Sequence, residues 1–187
     1  MKVRDSGMPE QAYWESLFDI NVILHALGLD HRIGDVVEVG CGYGTFTLPV
    51  AGRIRGTLHA FDIDPAMIEI TRARADAAGA GNVSLALRDV VADGFGLPAQ
   101  SVDAVLLFNI LHAENPLDLL RVAGDIVRPG GQVLVIHWRS DVVTPRGPDL
   151  SIRPRPEQIA DWARSTGLRP GTEELLPPWH FGLSLVR

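Results

Sequence analysis

The sequence predicts an α/β chain: a doubly wound, mostly parallel seven-stranded sheet with an antiparallel last strand. Three observations predict it. Short apolar runs alternate with segments of helical periodicity along the chain. The runs, Val102–Phe108 above all, are apolar almost throughout, as in strands covered on both faces. Only the Pro177-Pro178 stretch separates the last two runs, so the final strand must turn back beside its predecessor.

In chain order, Pro9–Leu27 reads as one amphipathic helix, with Tyr13, Leu17, Ile20, Ile23, Leu24 and Leu27 at helical spacing and Gly28 as its stop. Val36–Val39 is a short buried strand, Thr45–Arg53 a helix and Thr57–Phe61 a second strand. Asp64 precedes Pro65 and caps a helix that runs to about Ala78, ended by Gly79-Ala80-Gly81-Asn82. Val83–Leu87 is the third strand; a loop follows, and then the fourth strand, Val102–Phe108. Pro116–Val127 is helical, Arg128-Pro129-Gly130-Gly131 breaks it, and Gln132–His137 is the fifth strand. An Arg- and Pro-rich loop, Arg139–Pro156, leads to a helix over Glu157–Thr166 and to closing strands at Glu173–Leu176 and Phe181–Val186. Right-handed crossovers make such a sheet doubly wound, and ligands then bind outside the carboxyl ends of its strands.

The bulk numbers narrow the function. A chain of 187 residues, 46% hydrophobic and 21% charged, suits one domain spanning 1–187, with residues 9–28 as an N-terminal helix. The start has no apolar signal region and no run approaches the length of a membrane span, so a cytoplasmic protein without membrane partners is expected. One cysteine, Cys41, forms no internal disulfide and fits a reducing compartment. A net charge of −6 argues against general nucleic-acid binding.

The most informative stretch is Val36-Val37-Glu38-Val39-Gly40-Cys41-Gly42-Tyr43-Gly44. Glycine at every second position after a buried strand implies close approach of a ligand to the backbone. The dinucleotide pattern is G-x-G-x-x-G; here the third glycine comes one residue early and Thr45 stands where that pattern wants glycine. Glu38 inside the strand would repel a pyrophosphate, but not a ligand bearing an ammonium and a sulfonium.

These residues resemble the first motif of class I S-adenosylmethionine-dependent methyltransferases, E/D-x-G-x-G-x-G. Four further stretches resemble the family in order: Leu58–Ile68, Leu87-Arg88-Asp89-Val90, Ser101–Val105 and Arg128–Val133. The small branch resembling quinone-biosynthesis (type 11) methyltransferases is the nearest likeness. The resemblance implies a Rossmann-like methyltransferase fold with S-adenosylmethionine as cofactor. It implies a cofactor site of Glu38, Gly40, Cys41, Gly42 and Gly44, with Asp62 on the ribose hydroxyls and Asp89 near the adenine amino group. Ile63, Met67 and Val90 lie within the same motifs, and Asn109 touches the cofactor's amino acid end. It also implies that the N-terminal helix folds over the cofactor as a lid, although Tyr13 and Trp14 equally suit simple packing.

The acceptor is expected to be a small molecule. A protein or RNA acceptor, and cofactor binding without methyl transfer, stay open as alternatives. Cys41 reads as a small loop residue, and one cysteine gives no metal site. Arg139, Arg146, Arg153 and Arg155 suit either a solvated loop or an anionic acceptor. Independently of the resemblance, His112, His137 and His180 fall just after the fourth strand, at the end of the fifth and at the start of the last. That order places all three at one rim, facing one crevice, as candidate catalytic groups or as strand-end packing.

Overall fold

The computed structural model describes residues 8–187. The seven strands are Val36–Val39 (β1), Leu58–Asp62 (β2), Val83–Leu87 (β3), Val102–Phe108 (β4), Val127–Trp138 (β5), Arg169–Leu176 (β6) and His180–Val186 (β7). They form one sheet in the order β3-β2-β1-β4-β5-β7-β6, parallel except for β7, which runs antiparallel to both neighbours. The α-helices among the described residues are Gln11–Glu15 (α1), Ile20–Ala26 (α2), Thr47–Ala51 (α3), Pro65–Ala78 (α4), Val90–Asp93 (α5), Pro116–Ile126 (α6) and Pro156–Ser165 (α7).

The continuous apolar runs are explained by burial on both faces. Val37, Val105, Leu107 and Val135 point to one side, where Leu120 of α6 and Ile159 of α7 cover them. Val36, Leu106 and Ile136 point to the other, under Leu24 of α2 and Val50 of α3. Burying one such side chain contributes roughly 1.5–3 kcal/mol. Arg187 gathers the open carbonyls where α6 ends, donating to Gly124, Asp125 and Val127 at 2.7, 2.9 and 2.6 Å.

Three local expectations are corrected. The N-terminal helix is two short helices, because Leu17 is buried and Phe18 turns inward onto Phe46. Asp19 then caps the second helix, accepting from Val22 N at 3.1 Å. The loop after β3 contains α5, started by Asp89, whose Oδ1 accepts from Val91 N and Ala92 N at 3.1 and 3.2 Å. The Arg128–Gly131 stretch breaks the helix as expected but lies within β5 as a bulge: β4 pairs Val102 with Val127 and then Ala104 with Gln132, and Gly130 has φ of +79°. There Arg128 pairs with Asp103 at 2.6 Å, and the backbones of Gly130 and Gly131 bond to Arg187. No helix among the described residues is long and apolar enough to cross a membrane.

Candidate active site

The parallel register Val39↔Phe61 sets the glycine loop beside the carboxyl end of β2. Gly40, Gly42 and Gly44 have φ of +78°, +52° and +75°, a left-handed backbone that favours glycine. The amides of Gly40 and Cys41 donate to Phe61 O (2.7 and 3.1 Å), that of Gly44 to Cys41 O (2.9 Å) and that of Gly42 to Asp62 Oδ2 (2.9 Å). Phosphate sites rely on open backbone amides; these four are spent on the protein. Thr71 Oγ1 donates to Gly42 O at 2.7 Å and the Arg74 guanidinium donates to Tyr43 O, which fastens the loop to α4.

Beneath the loop, Glu38 is 3% exposed and its Oε2 accepts from Thr47 Oγ1 at 2.6 Å. Burial pushes its carboxyl up to about 8, with the nearby Asp62 charge adding to the effect and the Thr47 hydroxyl opposing it. A carboxyl in that position ionises readily only when a cation joins it.

Asp62 is half-buried at the end of β2. Its Oδ2 accepts from Gly42 N and its Oδ1 from Asp64 N at 3.0 Å. Each oxygen has two acceptor directions, so this carboxylate is oriented and still able to meet two adjacent hydroxyls. Asp64 caps α4 as expected, accepting from Ala66 N at 2.8 Å. Farther along the rim, Ile63, Leu87, Arg88, Asp89 and Asp93 line a cleft of about 290 Å³. Ile63 and Leu87 expose apolar surface to it, which suits a flat aromatic ring. Met67 is half-buried on the first turn of α4, and the Val90 side chain lies in the core beside Phe61.

Cys41 sits between the first two glycines of the loop. Its side chain is buried against Ala60 and Ile68, burial holds the thiol protonated, and its amide is spent on Phe61. The Cys41 side chain therefore packs the loop.

Asn109 follows β4 with φ of +58° and is 8% exposed, and neither atom of its side-chain amide has a partner among the described residues. Its N–H donates to Ile136 O at 2.7 Å. Ile110 Cγ2 lies 3.5 Å from where a Cβ on Gly40 would sit, so this loop packs against the glycine loop. Thr45 Oγ1 is likewise buried with no partner among the described residues. Sequence reasoning missed Thr45 and Thr47 as site residues. The one available signal was a threonine where the dinucleotide pattern wants glycine.

The N-terminal segment is fastened to this region. Tyr43 Oη donates to Pro9 O at 2.7 Å, and Arg74 pairs with Glu15 at 2.7 Å. Trp14 and Phe18 extend an aromatic cluster with Phe46, Phe108 and Trp138, with ring centroids 4.9–6.4 Å apart. Of the loop arginines, Arg153 is buried over Trp138 and donates to Pro148 O and Arg139 O at 2.8 and 2.9 Å. Its first duty is thus to hold the loop.

The three histidines do not share one crevice. His112 Nδ1 and His137 Nε2 are 3.3 Å apart. His180 pairs across the sheet with Trp138, whereas His137 pairs with Phe181, so His180 projects from the opposite face. It stacks on Phe18 at 4.7 Å and meets Trp138 at 4.1 Å, with Nε2 unpartnered among the described residues. Burial depresses both His137 and His180 to about 3, which keeps them neutral near pH 7.

Residues 36–131 match the family model of a methyltransferase domain. Aklanonic acid methyltransferase DauC of Streptomyces sp. (strain C5) is 34% identical over 101 residues, covering 52% of this chain and 45% of that protein. Nocamycin O-methyltransferase of Saccharothrix syringae is 36% identical over 110 residues, covering 56% of this chain and 38% of that protein. The matches thus span less than half the length of these relatives. The crystal structure of a SAM dependent methyltransferase from Aquifex aeolicus shares the fold, with a TM-score of 0.81 and 21% identity, covering 90% of this chain and 89% of that one. The family match takes in β1, the glycine loop, Asp62, Asp89 and Asn109, more than half of the sequence. The chain belongs to the class I S-adenosylmethionine-dependent methyltransferase family.

Proposed function

We propose that the protein transfers a methyl group from S-adenosylmethionine to a small-molecule acceptor. The observation that carries the reading is the buried Glu38 carboxyl under a glycine loop in which the amides of Gly40, Cys41, Gly42 and Gly44 donate within the protein. Such a site disfavours phosphate and rewards a cation. The cofactor, when bound, supplies a methyl group on a sulfonium sulfur. The glycine loop admits it to the backbone, and Glu38 offsets its positive charge directly or through water. Asp62 receives the ribose hydroxyls, the cleft of Ile63, Leu87 and Asp89 takes the adenine, and the orphaned Asn109 amide gains a partner at the amino acid end. Residues 9–28 act as a lid, fastened through Pro9 and Glu15. Alignment and exclusion of water by these elements can supply several kcal/mol of the catalysis.

A small-molecule acceptor is supported by the names of the two relatives, aklanonic acid and nocamycin methyltransferases. The net charge of −6 weighs against RNA. A protein acceptor is the second reading, because a ribosomal protein L11 methyltransferase of Shewanella piezotolerans is 29% identical over 76% of this chain. The single buried cysteine suits a reducing cytoplasm. Incubation of the protein with methyl-tritiated cofactor and a cell extract tests the proposal. Label is expected in the small-molecule fraction, insensitive to protease and nuclease. Label on protein would establish the second reading, and absence of any transfer would overturn both.

A further inference from the structure

We propose that the aromatic cluster around His180 is the acceptor subsite, that it takes a planar phenol, and that Phe18 holds the place of that phenol while the subsite is empty. The proposal rests on the methyl-transfer reading above and deepens it by naming the acceptor class. The phenol ring lies among Trp14, Phe46 and Trp138, and its hydroxyl hydrogen-bonds to His180 Nε2.

Buried polar side chains normally find partners, and each exception calls for a reason. Among the described residues the exceptions are Thr45 Oγ1, the Asn109 side-chain amide and His180 Nε2. They are not scattered. Thr45 precedes Phe46 at the end of the glycine loop, and Asn109 follows Phe108 at the end of β4. The rings of Phe46 and Phe108 meet edge-on at 5.0 Å. Phe18 in turn meets Phe46 at 5.1 Å and stacks on His180 at 4.7 Å. One aromatic wall thus joins the orphaned atoms. Asn109 flanks its cofactor end, where the reading above places the amino acid portion of the cofactor. His180 stands at the other end, 1% exposed, against the rings of Phe18 and Trp138.

Phe18 is the removable part of this wall. Helical spacing continues through Leu17, yet the chain breaks between α1 and α2, and the break lets Phe18 reach Phe46 and His180. No residue of α1 is fully buried, its ion pair with Arg74 leaves both side chains partly exposed, and Trp14 and Phe18 are half-buried. Moving this segment therefore uncovers His180 at small cost, whereas Trp138 is 2% exposed and fixed in β5. A flat ring can replace Phe18 in the offset and edge-on contacts that aromatic pairs favour at about 4.5–7 Å. A hydroxyl on that ring gives His180 Nε2 the partner it lacks, and an imidazole nitrogen can meet it as donor or acceptor. Charge separates the phenol from an amine. The Arg153 guanidinium lies 5.9 Å from the Trp138 ring, held by the carbonyls of Pro148 and Arg139, which leave its charge in place. That positive field disfavours a proton on His180 and equally disfavours an ammonium bound beside it. A phenol gathers negative charge on oxygen as it gives up its proton, and the same field favours it.

Calorimetry of the full chain tests the subsite, first with S-adenosylhomocysteine and then, on that complex, with 2-naphthol and with naphthalene as probes. 2-Naphthol should bind at one site per chain, about tenfold more tightly than naphthalene, which has the rings and no hydroxyl. His180→Phe keeps a ring between Phe18 and Trp138 and removes the nitrogen, so it should bring the two probes within about threefold of each other. A merely structural His180 would change both affinities alike and leave their ratio untouched. Phe18→Ala, with Phe18→Leu as the variant that better preserves the fold, should bind both probes about three- to tenfold more tightly, because one aromatic stack no longer has to be undone. Equal affinity of the wild type for the two probes, an unchanged ratio in His180→Phe, or weaker probe binding by the folded Phe18 variant would overturn the proposal. Failure to bind S-adenosylhomocysteine, with the preference for 2-naphthol intact, would instead overturn the cofactor reading and leave the subsite standing, and the first titration reports that separately.

Discussion

Replacing Glu38 by glutamine keeps the size of the side chain and an oxygen to accept from Thr47, and removes the ability to ionise. In the wild type, burial raises this carboxyl from its ordinary 4.5 to about 8. The folded value is above the unfolded one, so the stability tied to the protonated group is fully present below about pH 4.5. It is lost as pH rises through about 8. At about 1.4 kcal/mol per tenfold, the whole loss is on the order of 5 kcal/mol, of which about 4 falls between pH 5 and pH 8.5. Glu38→Gln has no such loss. Its amide hydrogens can cost about 1–3 kcal/mol, but that cost does not change with pH. Urea denaturation of both proteins at pH 5 and pH 8.5 should therefore show the difference in unfolding free energy moving by about 4 kcal/mol in favour of glutamine. Cofactor binding follows the same carboxyl. S-adenosylmethionine, with its permanent sulfonium charge, should drive Glu38 to ionise and release a proton near pH 7. Glu38→Gln should lose about tenfold or more in its affinity, and less for S-adenosylhomocysteine, which lacks that charge. A pH-independent stability difference together with unchanged S-adenosylmethionine affinity would refute the reasoning.

Two further predictions follow from the same geometry. Asp62→Ala should weaken cofactor binding at least about tenfold by calorimetry, whereas Asp64→Ala should cost about 1 kcal/mol of stability as a lost cap and leave affinity nearly intact; the reverse pattern would exchange their roles. His180 is lowered by burial from 6.5 to about 3, so the stability it contributes is present above about pH 6.5 and lost as pH falls toward 3. His180→Phe, stacked between Phe18 and Trp138, should remove about 3 kcal/mol of the destabilisation that wild type suffers between pH 7.5 and pH 4.5, measured by urea denaturation at the two values.

The central strands are legible in the sequence because parallel strands bury both faces and so read as unbroken apolar runs; Val36–Val39 and Val102–Phe108 have the boundaries the sequence predicts. The Asp64-Pro65 start and Gly79 stop of α4 are equally local, and Gly79 takes the left-handed cap that glycine favours. The break between α1 and α2 is not local. Helical spacing continues through Leu17, and only the attraction of Phe18 to Phe46 and His180 interrupts it. The glycine loop, Glu38 and Asp62 are legible as a site because their spacing encodes one strand-loop geometry. The Glu38–Thr47 bond spans the loop and the start of α3, which no short pattern records. The histidines show the limit most clearly. Strand positions place His137 and His180 at one rim, but the face each occupies depends on register, and the pairing His137↔Phe181 turns His180 away.

The most direct test of the cofactor assignment is titration calorimetry of the wild type with S-adenosylmethionine, S-adenosylhomocysteine and NAD under one set of conditions. Buried Glu38 and a loop whose four amides at Gly40, Cys41, Gly42 and Gly44 donate within the protein predict saturable binding of the first two and binding of NAD weaker by at least about 100-fold, or about 2.7 kcal/mol. Tight NAD binding with no heat from S-adenosylmethionine would contradict the account.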